Sequence, residues 1–373
     1  MIQRCDVAIV GLGPAGASAA IAAAQGGARV IALDRRREAG FPVQCAEFVP
    51  AMMGMDAGPV TSAQVQPILA MESFVENAHD RHTPDFRGKM IDRGAFDRQL
   101  VEQAMAAGAD CRFGMQVAVD RGDGALVAPD GARFVADVVI GADGPNSPLG
   151  AAIGCVNREL VETRQVTVPL LAPQDSTDIY LSTRIPGGYA WLFPKGDVAN
   201  VGLGVGREWR ELLKPELEAL LAMLVEQGKI ADKRLGHTGG AIPVGGPVGV
   251  AGRIGGVQVL LAGDAAGLAN PVTGAGIPAA CISGKMAGEA AARIVAGDRD
   301  ALADYYDDIE DLFGASLRRA VARRRELLAQ WRDGTAEAAD LRRGWIAYPQ
   351  YWTDTKQVAP MAQRENGNEL LEA

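Results

Sequence analysis

The sequence predicts an α/β fold: a parallel-sheet domain interrupted by an inserted antiparallel-sheet domain, with a helical segment at the C-terminus. Three observations predict it. A short apolar strand around Val7–Val10 runs into a glycine-rich turn and an alanine-rich helix. Residues 151–250 change to short β-rich runs separated by turns. The α/β pattern then returns, with an apolar strand at 256–261 and a long helix behind a second glycine-rich turn. The expected boundaries place residues 1–60, 91–150 and 251–300 in the discontinuous parallel-sheet domain, 61–90 and 151–250 in the insertion, and 301–373 in the helical segment.

Taken in order, Gly11, Gly13 and Gly16 complete a G-x-G-x-x-G spacing between strand and helix. Such a turn offers backbone N–H groups to a pyrophosphate, and its glycines allow the tight bend, the phosphate approach and close helix–strand packing. The helix runs from Pro14 to Gln25 and stops at Gly26-Gly27; the second strand, 29–33, ends in Asp34, 18 residues after Gly16. A carboxylate there accepts hydrogen bonds from a dinucleotide ribose, so this βαβ unit reads as Rossmann-like. Residues 35–60 read as a loop containing Pro42-Val43-Gln44-Cys45, where Cys45 is either a reactive group or a small buried one. Residues 64–91 show no helical period and are assigned to strands and connections of the insertion. A helix follows from Asp92 to Ala107, with Phe96, Leu100, Val101 and Met105 at helical spacing.

Strands are expected at 114–119, 125–128 and 133–140, the last running into Gly141-Ala142-Asp143-Gly144. Further strands are expected at 164–171, 178–184, 189–193 and 198–205, then a helix at 215–227 with Leu217, Leu220, Leu221 and Leu224 on one face. The hairpin-like turns at Pro186-Gly187-Gly188 and Lys195-Gly196-Asp197 suggest an antiparallel sheet. After strand 256–261 come Gly263-Asp264 and the helix start Pro271-Val272-Thr273-Gly274-Ala275-Gly276-Ile277. A helical segment, 301–332, carries the arginine-rich run 317–325, read as a solvated face, with contact to an anionic membrane surface as the minority alternative.

Composition narrows the function. A net charge of −9 and the lack of an RNA-binding signature argue against a nucleic-acid partner. Five cysteines without C-x-x-C spacing, and an N-terminal apolar run too short for a signal segment, predict a reduced, cytoplasmic protein. Three histidines make a metal site an unfavoured expectation; His79 and His82 are assigned to a solvated loop.

Together, the G-x-G-x-x-G turn with Asp34, the Gly141–Gly144 motif and the Gly263-Asp264 and 271–277 segment resemble flavoproteins built like para-hydroxybenzoate hydroxylase, over nearly the whole chain to about residue 300. The resemblance implies FAD. It would place Gly11, Gly13, Pro14, Ala15 and Gly16 at the pyrophosphate and Asp34 with Arg35 at the adenosine ribose. Arg93 would face the phosphates, Asp143 and Gly144 belong to the family's Asp-Gly motif, and Gly263-Asp264 would meet the ribityl chain. Gly274, Ala275 and Gly276 would present helix N–H groups to the flavin, with Pro271 and Ile277 beside them at the cofactor. The run Tyr189-Ala190-Trp191-Leu192-Phe193-Pro194, Gly202-Leu203-Gly204 and Pro-x-x-Cys at 42–45 further resemble geranylgeranyl reductases. That likeness puts Cys45 and Ala46 at the flavin and names Cys45, Tyr189 and Trp191 as catalytic. Tyr189 and Trp191 alternate along one strand, so both can wall an apolar tunnel, or pack a core.

The expected activity is hydride transfer from reduced flavin to the C=C bond of an apolar, prenyl-type lipid substrate, with NAD(P)H or a reduced electron carrier as transient donor. The alternatives are a flavin monooxygenase on the same fold and an FAD-bearing electron-transfer or maturation partner.

Overall fold

In the computed structural model, residues 1–51 and 62–353 are described. The expected turn residues around Gly54 and Pro59, and the chain after 353, lie outside the described residues. A six-stranded sheet has the spatial order Ala251–Ile254, Val257–Leu261, Val138–Gly141, Val7–Val10, Val30–Asp34, Asp110–Phe113. All neighbours are parallel except the first pair. Its central strands are apolar and buried on both faces, as a sheet covered by helices requires.

Helix Pro14–Gln25 forms where the sequence places it, with Pro14 at its first turn. It packs against helix Ile277–Val295 at backbone distance. A Cβ on Gly284 would stand 2.1 Å from the carbonyl oxygen of Ala15, and one on Gly288 would stand 2.3 Å from that of Ala19. The small residues on both helices therefore set how closely the helix behind the second glycine turn approaches the first.

A nine-stranded sheet forms the second layer. Its order is Gly236–Thr238, Leu160–Pro169, Val198–Gly206, Ala190–Lys195, Ser176–Leu181, Gln64–Val75, Ala78–Ile91, Phe48–Pro50, with Ala241–Pro243 also pairing on Leu160–Pro169. Period-two alternation divides its faces. Ala190 and Leu192 pack with Leu217, Leu220, Leu221 and Leu224 of helix Leu213–Glu226. Trp191 and Phe193 point to the other face, where Leu341, Trp345 and Tyr348 of the C-terminal segment close over them. A small four-stranded sheet joins Ile2–Arg4, Arg133–Val135, Leu126–Val127 and Ala118–Val119.

Several expectations need correction. The large sheet is mixed, because Ser176–Leu181 runs parallel to Gln64–Val75. The expected strand 133–140 is two strands in two sheets, broken at Ala136-Asp137. Strand Asp110–Phe113 was not anticipated, since its polar residues Asp110 and Arg112 hide the apolar signal of an edge strand, and only Ala118–Val119 of 114–119 is extended. Phe48–Pro50, expected as loop within the parallel-sheet domain, is an edge strand of the large sheet. His79 and His82 lie on strand Ala78–Ile91, both bonded to Glu72, and not in a loop. The arginine-rich run is not one solvated face: in helix Ala315–Arg332, Arg323 and Arg324 are buried.

Gly284→Val tests the helix contact. A branched side chain facing the Ala15 carbonyl is expected to lower stability by about 1–3 kcal/mol through overpacking, measured by chemical denaturation; an unchanged midpoint would show that the two helices can part without cost.

Candidate functional site

Four parallel strands end at one rim, and each carboxyl end carries one of the motifs read from the sequence. Gly11 follows Val10, Asp34 ends its strand, Ala142-Asp143 follows Gly141, and Gly263-Asp264 follows the strand ending at Leu261. Open α/β sheets bind ligands at this edge. A cavity of about 860 Å³ opens there and extends under the large sheet, lined by residues of both.

The glycines divide by task. Gly11 has φ +96°, and a Cβ on it would lie 2.2 Å from the carbonyl oxygen of Ala142. Gly16 is closed off, its Cβ position 1.8 Å from the Gly11 carbonyl oxygen, so it serves packing and does not line the cavity. Gly13 lines the cavity, and a Cβ there would meet only Arg36 at 3.8 Å. The helix it caps has no acidic residue in its first turn, which leaves the N-terminus open to an anion. Pro14 and Ala15 also line the cavity.

Asp34 is buried, and both carboxylate oxygens hold partners. Oδ2 accepts from the Leu12 N–H at 2.7 Å and from the Arg36 guanidinium at 2.7 Å, while Oδ1 accepts from the Arg36 N–H at 2.7 Å. Burial raises its pKa, but the Arg36 contacts outweigh this and hold it below the usual carboxylate range. A ribose hydroxyl would share this carboxylate with Arg36. Arg35, the expected partner, lines the cavity but is exposed; Arg36 is the arginine that covers Asp34 and Gly13. Sequence reading missed it because neighbouring arginines after a strand look alike until the turn is built.

Arg93 starts helix Arg93–Ala106, whose N-cap Asp92 accepts from the Ala95 N–H. Its Nε donates to Asp97 Oδ1 at 2.7 Å, and the guanidinium also lies beside Cys45. Asp143 accepts from Ser147 Oγ at 2.5 Å, and burial raises its carboxyl. Asp264 faces the cavity beside Gly276, whose Cβ position is 3.3 Å from Asp264 Oδ1. Burial pushes the Asp264 carboxyl up to about 6 despite the opposing charge of Arg93. Gly263 does not line the cavity; with φ +60° it turns the chain, and its N–H donates to Ser283 Oγ. The segment from Pro271 to Ile277 lines the cavity and is folded by Asn270, whose Oδ1 accepts from the Val272 and Thr273 N–H groups.

The Cys45 loop is braced from the large sheet. Thr238 Oγ1 donates to the Val43 carbonyl at 2.6 Å, and Gln165 Nε2 to the Cys45 carbonyl at 3.3 Å. Glu47, which sequence reading overlooked, has φ +67° and a buried carboxylate. That carboxylate accepts from the Arg93 N–H at 3.0 Å, Lys195 Nζ at 2.7 Å and Asn200 Nδ2 at 3.0 Å. Cys45 and Ala46 thereby line the cavity.

Tyr189 and Trp191 form the opposite wall, with ring centroids 5.6 Å apart. Tyr189 donates its hydroxyl to the Thr273 carbonyl at 2.6 Å, and burial raises its pKa. Trp191 Nε1–H donates to Gln165 Oε1 at 3.0 Å, so one glutamine orients both the indole and the Cys45 carbonyl. Gly202 stands directly across from Trp191, and a Cβ there would lie 2.6 Å from the indole. Phe193, Phe48, Phe86 and Trp345 continue the aromatic surface. The last three were invisible in the sequence because they come from distant segments without a shared motif.

The residues present fit a dinucleotide flavin. An open helix N-terminus, half-buried Arg36 and Arg93, and a second cavity-lining helix start at Ile277 with no acid in its first turn supply donors for anionic groups. The titration of Asp264 is testable in FAD-free protein. Between about pH 4 and about 6 the unfolded chain has released this proton while the folded chain retains it. Stability is therefore expected to fall as pH rises through that window, and to level off above it. Asp264→Asn should flatten the profile of denaturation midpoint against pH; an unaltered slope would assign the titration to another group.

The geranylgeranyl reductase catalytic domain model matches residues 160–237, and an FAD binding domain model matches residues 4–180. The chain is 34% identical over 339 residues to digeranylgeranylglycerophospholipid reductase 2 of Methanopyrus kandleri, covering 85% of each. It is 33% identical over 334 residues to digeranylgeranylglycerophospholipid reductase of Methanoculleus marisnigri, covering 82% of this chain and 81% of that one. In fold it is similar to a geranylgeranyl bacteriochlorophyll reductase-like protein of Thermoplasma acidophilum, with a TM-score of 0.77, 24% identity and coverage of 94% and 98% of the two chains. The fold is also that of PqsL, a probable FAD-dependent monooxygenase of Pseudomonas aeruginosa, at a TM-score of 0.66, 20% identity and coverage of 89% and 99%. With the flavin-type cradle and the aromatic wall in one cavity, the chain belongs to the geranylgeranyl reductase family of FAD-dependent oxidoreductases.

Proposed function

We propose that this enzyme saturates C=C bonds of a prenyl-chain lipid held against the aromatic wall. The observation that carries the reading is the continuity of the cavity: Cys45 lies beside Arg93 on the cradle side and, through Gln165, is tied to Trp191 on the wall side. Bound FAD supplies the hydride, and the alkene gains a proton at its other carbon. An isolated alkene offers no carbonyl to polarise, so the protein contributes positioning and a dry surface. Trp191 and Phe193, with centroids 6.0 Å apart and rings nearly parallel, offer the flat apolar surface an extended chain needs. The Cys45 thiol is the protonatable group we assign to the proton step. The electrons come from NAD(P)H or from a reduced carrier protein.

The test is anaerobic incubation of chemically reduced protein with a geranylgeranyl lipid, read by mass spectrometry as a gain of two hydrogens per bond. Cys45→Ser is expected to keep FAD and lose at least about tenfold in turnover; full activity would return Cys45 to packing. A stabilised oxygen adduct during stopped-flow reoxidation, with no alkene reduction, would favour the monooxygenase reading instead.

A lipid substrate also places the enzyme at a membrane surface during turnover. Among the described residues no helix is long and apolar enough to cross a membrane. We expect FAD-loaded protein to co-sediment with vesicles containing the prenyl lipid and to remain in solution with vesicles of saturated lipid; equal recovery in both pellets would remove the substrate-dependent contact.

A further inference from the structure

Cys45 is half-buried in the cavity wall, and its sulfur meets two donors. The Glu47 N–H points at Sγ from 3.1 Å, and the Arg93 guanidinium lies beside the same thiol. A neutral thiol is a weak acceptor and has little use for either. A thiolate is a strong acceptor, and hydrogen bonds to a charged form favour that form. The two donors therefore suit the state the sulfur enters after giving up its proton.

The Glu47 N–H is held there against the residue's own preference. Its φ of +67° is a conformation that glycine adopts freely and other residues keep only when their surroundings enforce it. The enforcement comes through the side chain, whose carboxylate is anchored on the Arg93 N–H, on Asn200 Nδ2 and, at 2.7 Å, on Lys195 Nζ. Lys195 closes strand Ala190–Lys195, the strand that carries Trp191. It is the cation of the set, so it does two things at once. It secures the turn, and it offsets a negative charge carried only two residues from the sulfur, which would disfavour a thiolate. The other carboxylates that bear on this corner, Asp97 and Asp264, both lie against Arg93, Asp97 through a 2.7 Å ion pair and Asp264 through the opposing charge.

We propose that Lys195 and Glu47 are positioning residues for the proton step: through them the Glu47 N–H and the Arg93 guanidinium form a thiolate-holding site at Cys45. The inference rests on the reductase reading and deepens its proton step. In that step the S–H bond of Cys45 breaks and a C–H bond forms at one alkene carbon, while the hydride from reduced FAD reaches the other. The S–H electron pair stays on sulfur, the alkene gains two electrons from the flavin, and water later returns the proton to the thiolate. A purely structural ion pair would tie the loop to the large sheet and leave the reactivity of the thiol alone.

The experiment compares full-length, FAD-loaded wild type with Lys195→Met, Lys195→Arg and Glu47→Gly. Glycine accepts a φ of +67° without strain but has no carboxylate to anchor it, so Glu47→Gly tests the lock should Lys195→Met fail to fold. Flavin spectrum and thermal midpoint report folding. The first readout is the rate at which iodoacetamide alkylates Cys45 at neutral pH, mapped by peptide mass spectrometry, because the thiolate is the reacting form. Burial pushes the Cys5, Cys111 and Cys281 thiols up to about 11, which keeps them out of the signal. Lys195→Met and Glu47→Gly are expected to slow the alkylation about 3- to 10-fold. With geranylgeranyl diphosphate as the probe substrate, kcat is expected to fall at least about tenfold while KM changes less than about twofold. Lys195→Arg, which keeps the cation, is expected to recover most of both. An unchanged alkylation rate in folded Lys195→Met or Glu47→Gly would overturn the proposal, as would a loss confined to KM or to the thermal midpoint. Alkylation needs no turnover, so the two readings fail separately. Slowed alkylation in variants of an enzyme that reduces no alkene would sink the reductase reading and leave the thiolate site standing; alkene reduction with Lys195-independent alkylation would do the reverse.

Discussion

The carboxylate of Glu47 is a contact that ties the parallel-sheet side of the cavity to the large sheet. A backbone N–H from the start of helix Arg93–Ala106 reaches it from the parallel-sheet side, and Lys195 and Asn200 reach it from the large sheet. A buried carboxylate is tolerated only when its lone pairs are met, so its position is over-determined by both layers. The φ of +67° at Glu47 is held in place by the same partners. Because Glu47 lies two residues beyond Cys45 and its N–H donates to Cys45 Sγ at 3.1 Å, fixing the carboxylate also fixes the thiol.

The cavity is chemically divided. On the cradle side, charges are met in pairs: Asp34 with Arg36, and Arg93 with Asp97. On the large-sheet side the lining is largely aromatic; there the Tyr189 hydroxyl is spent on Thr273 and the Trp191 N–H on Gln165. Glycines make this geometry possible where side chains would intrude, with Gly202 beneath the indole and Gly284 against the first helix. The result is a polar end for a charged cofactor and a dry wall for a hydrocarbon.

What the sequence disclosed, and what it hid, follows from the range of the interactions. The turn at Gly11–Gly16, helix Pro14–Gln25 and the leucine face of helix Leu213–Glu226 depend on neighbours within a few residues, and their patterns were readable directly. The motifs at Asp143 and Asp264 were readable as motifs, although only the fold shows that they share a rim with Gly13. Arg324 was read as solvated because helical spacing places it in a charged run; its burial depends on Gly187, far away in sequence. Phe48, Phe86 and Trp345 carry no local signal for the wall they extend, and Gly284 and Gly288 look like ordinary helix-weakening residues until the partner helix is placed. The split of 133–140 into two sheets was hidden for the same reason, since a continuous apolar run does not say which neighbours its halves will find.

The parallel pairing of Ser176–Leu181 with Gln64–Val75 carries a consequence for biogenesis. The hairpin of Gln64–Val75 and Ala78–Ile91 leaves the ribosome well before its parallel neighbour exists. Until then one long edge stays open, with Ile68, Met71 and Val75, all buried in the finished protein, still uncovered. Non-local closure of this kind is slow. The nascent chain thus passes through a sticky interval whose length is set by the order of its segments, and chaperone demand is written into the connectivity of the fold.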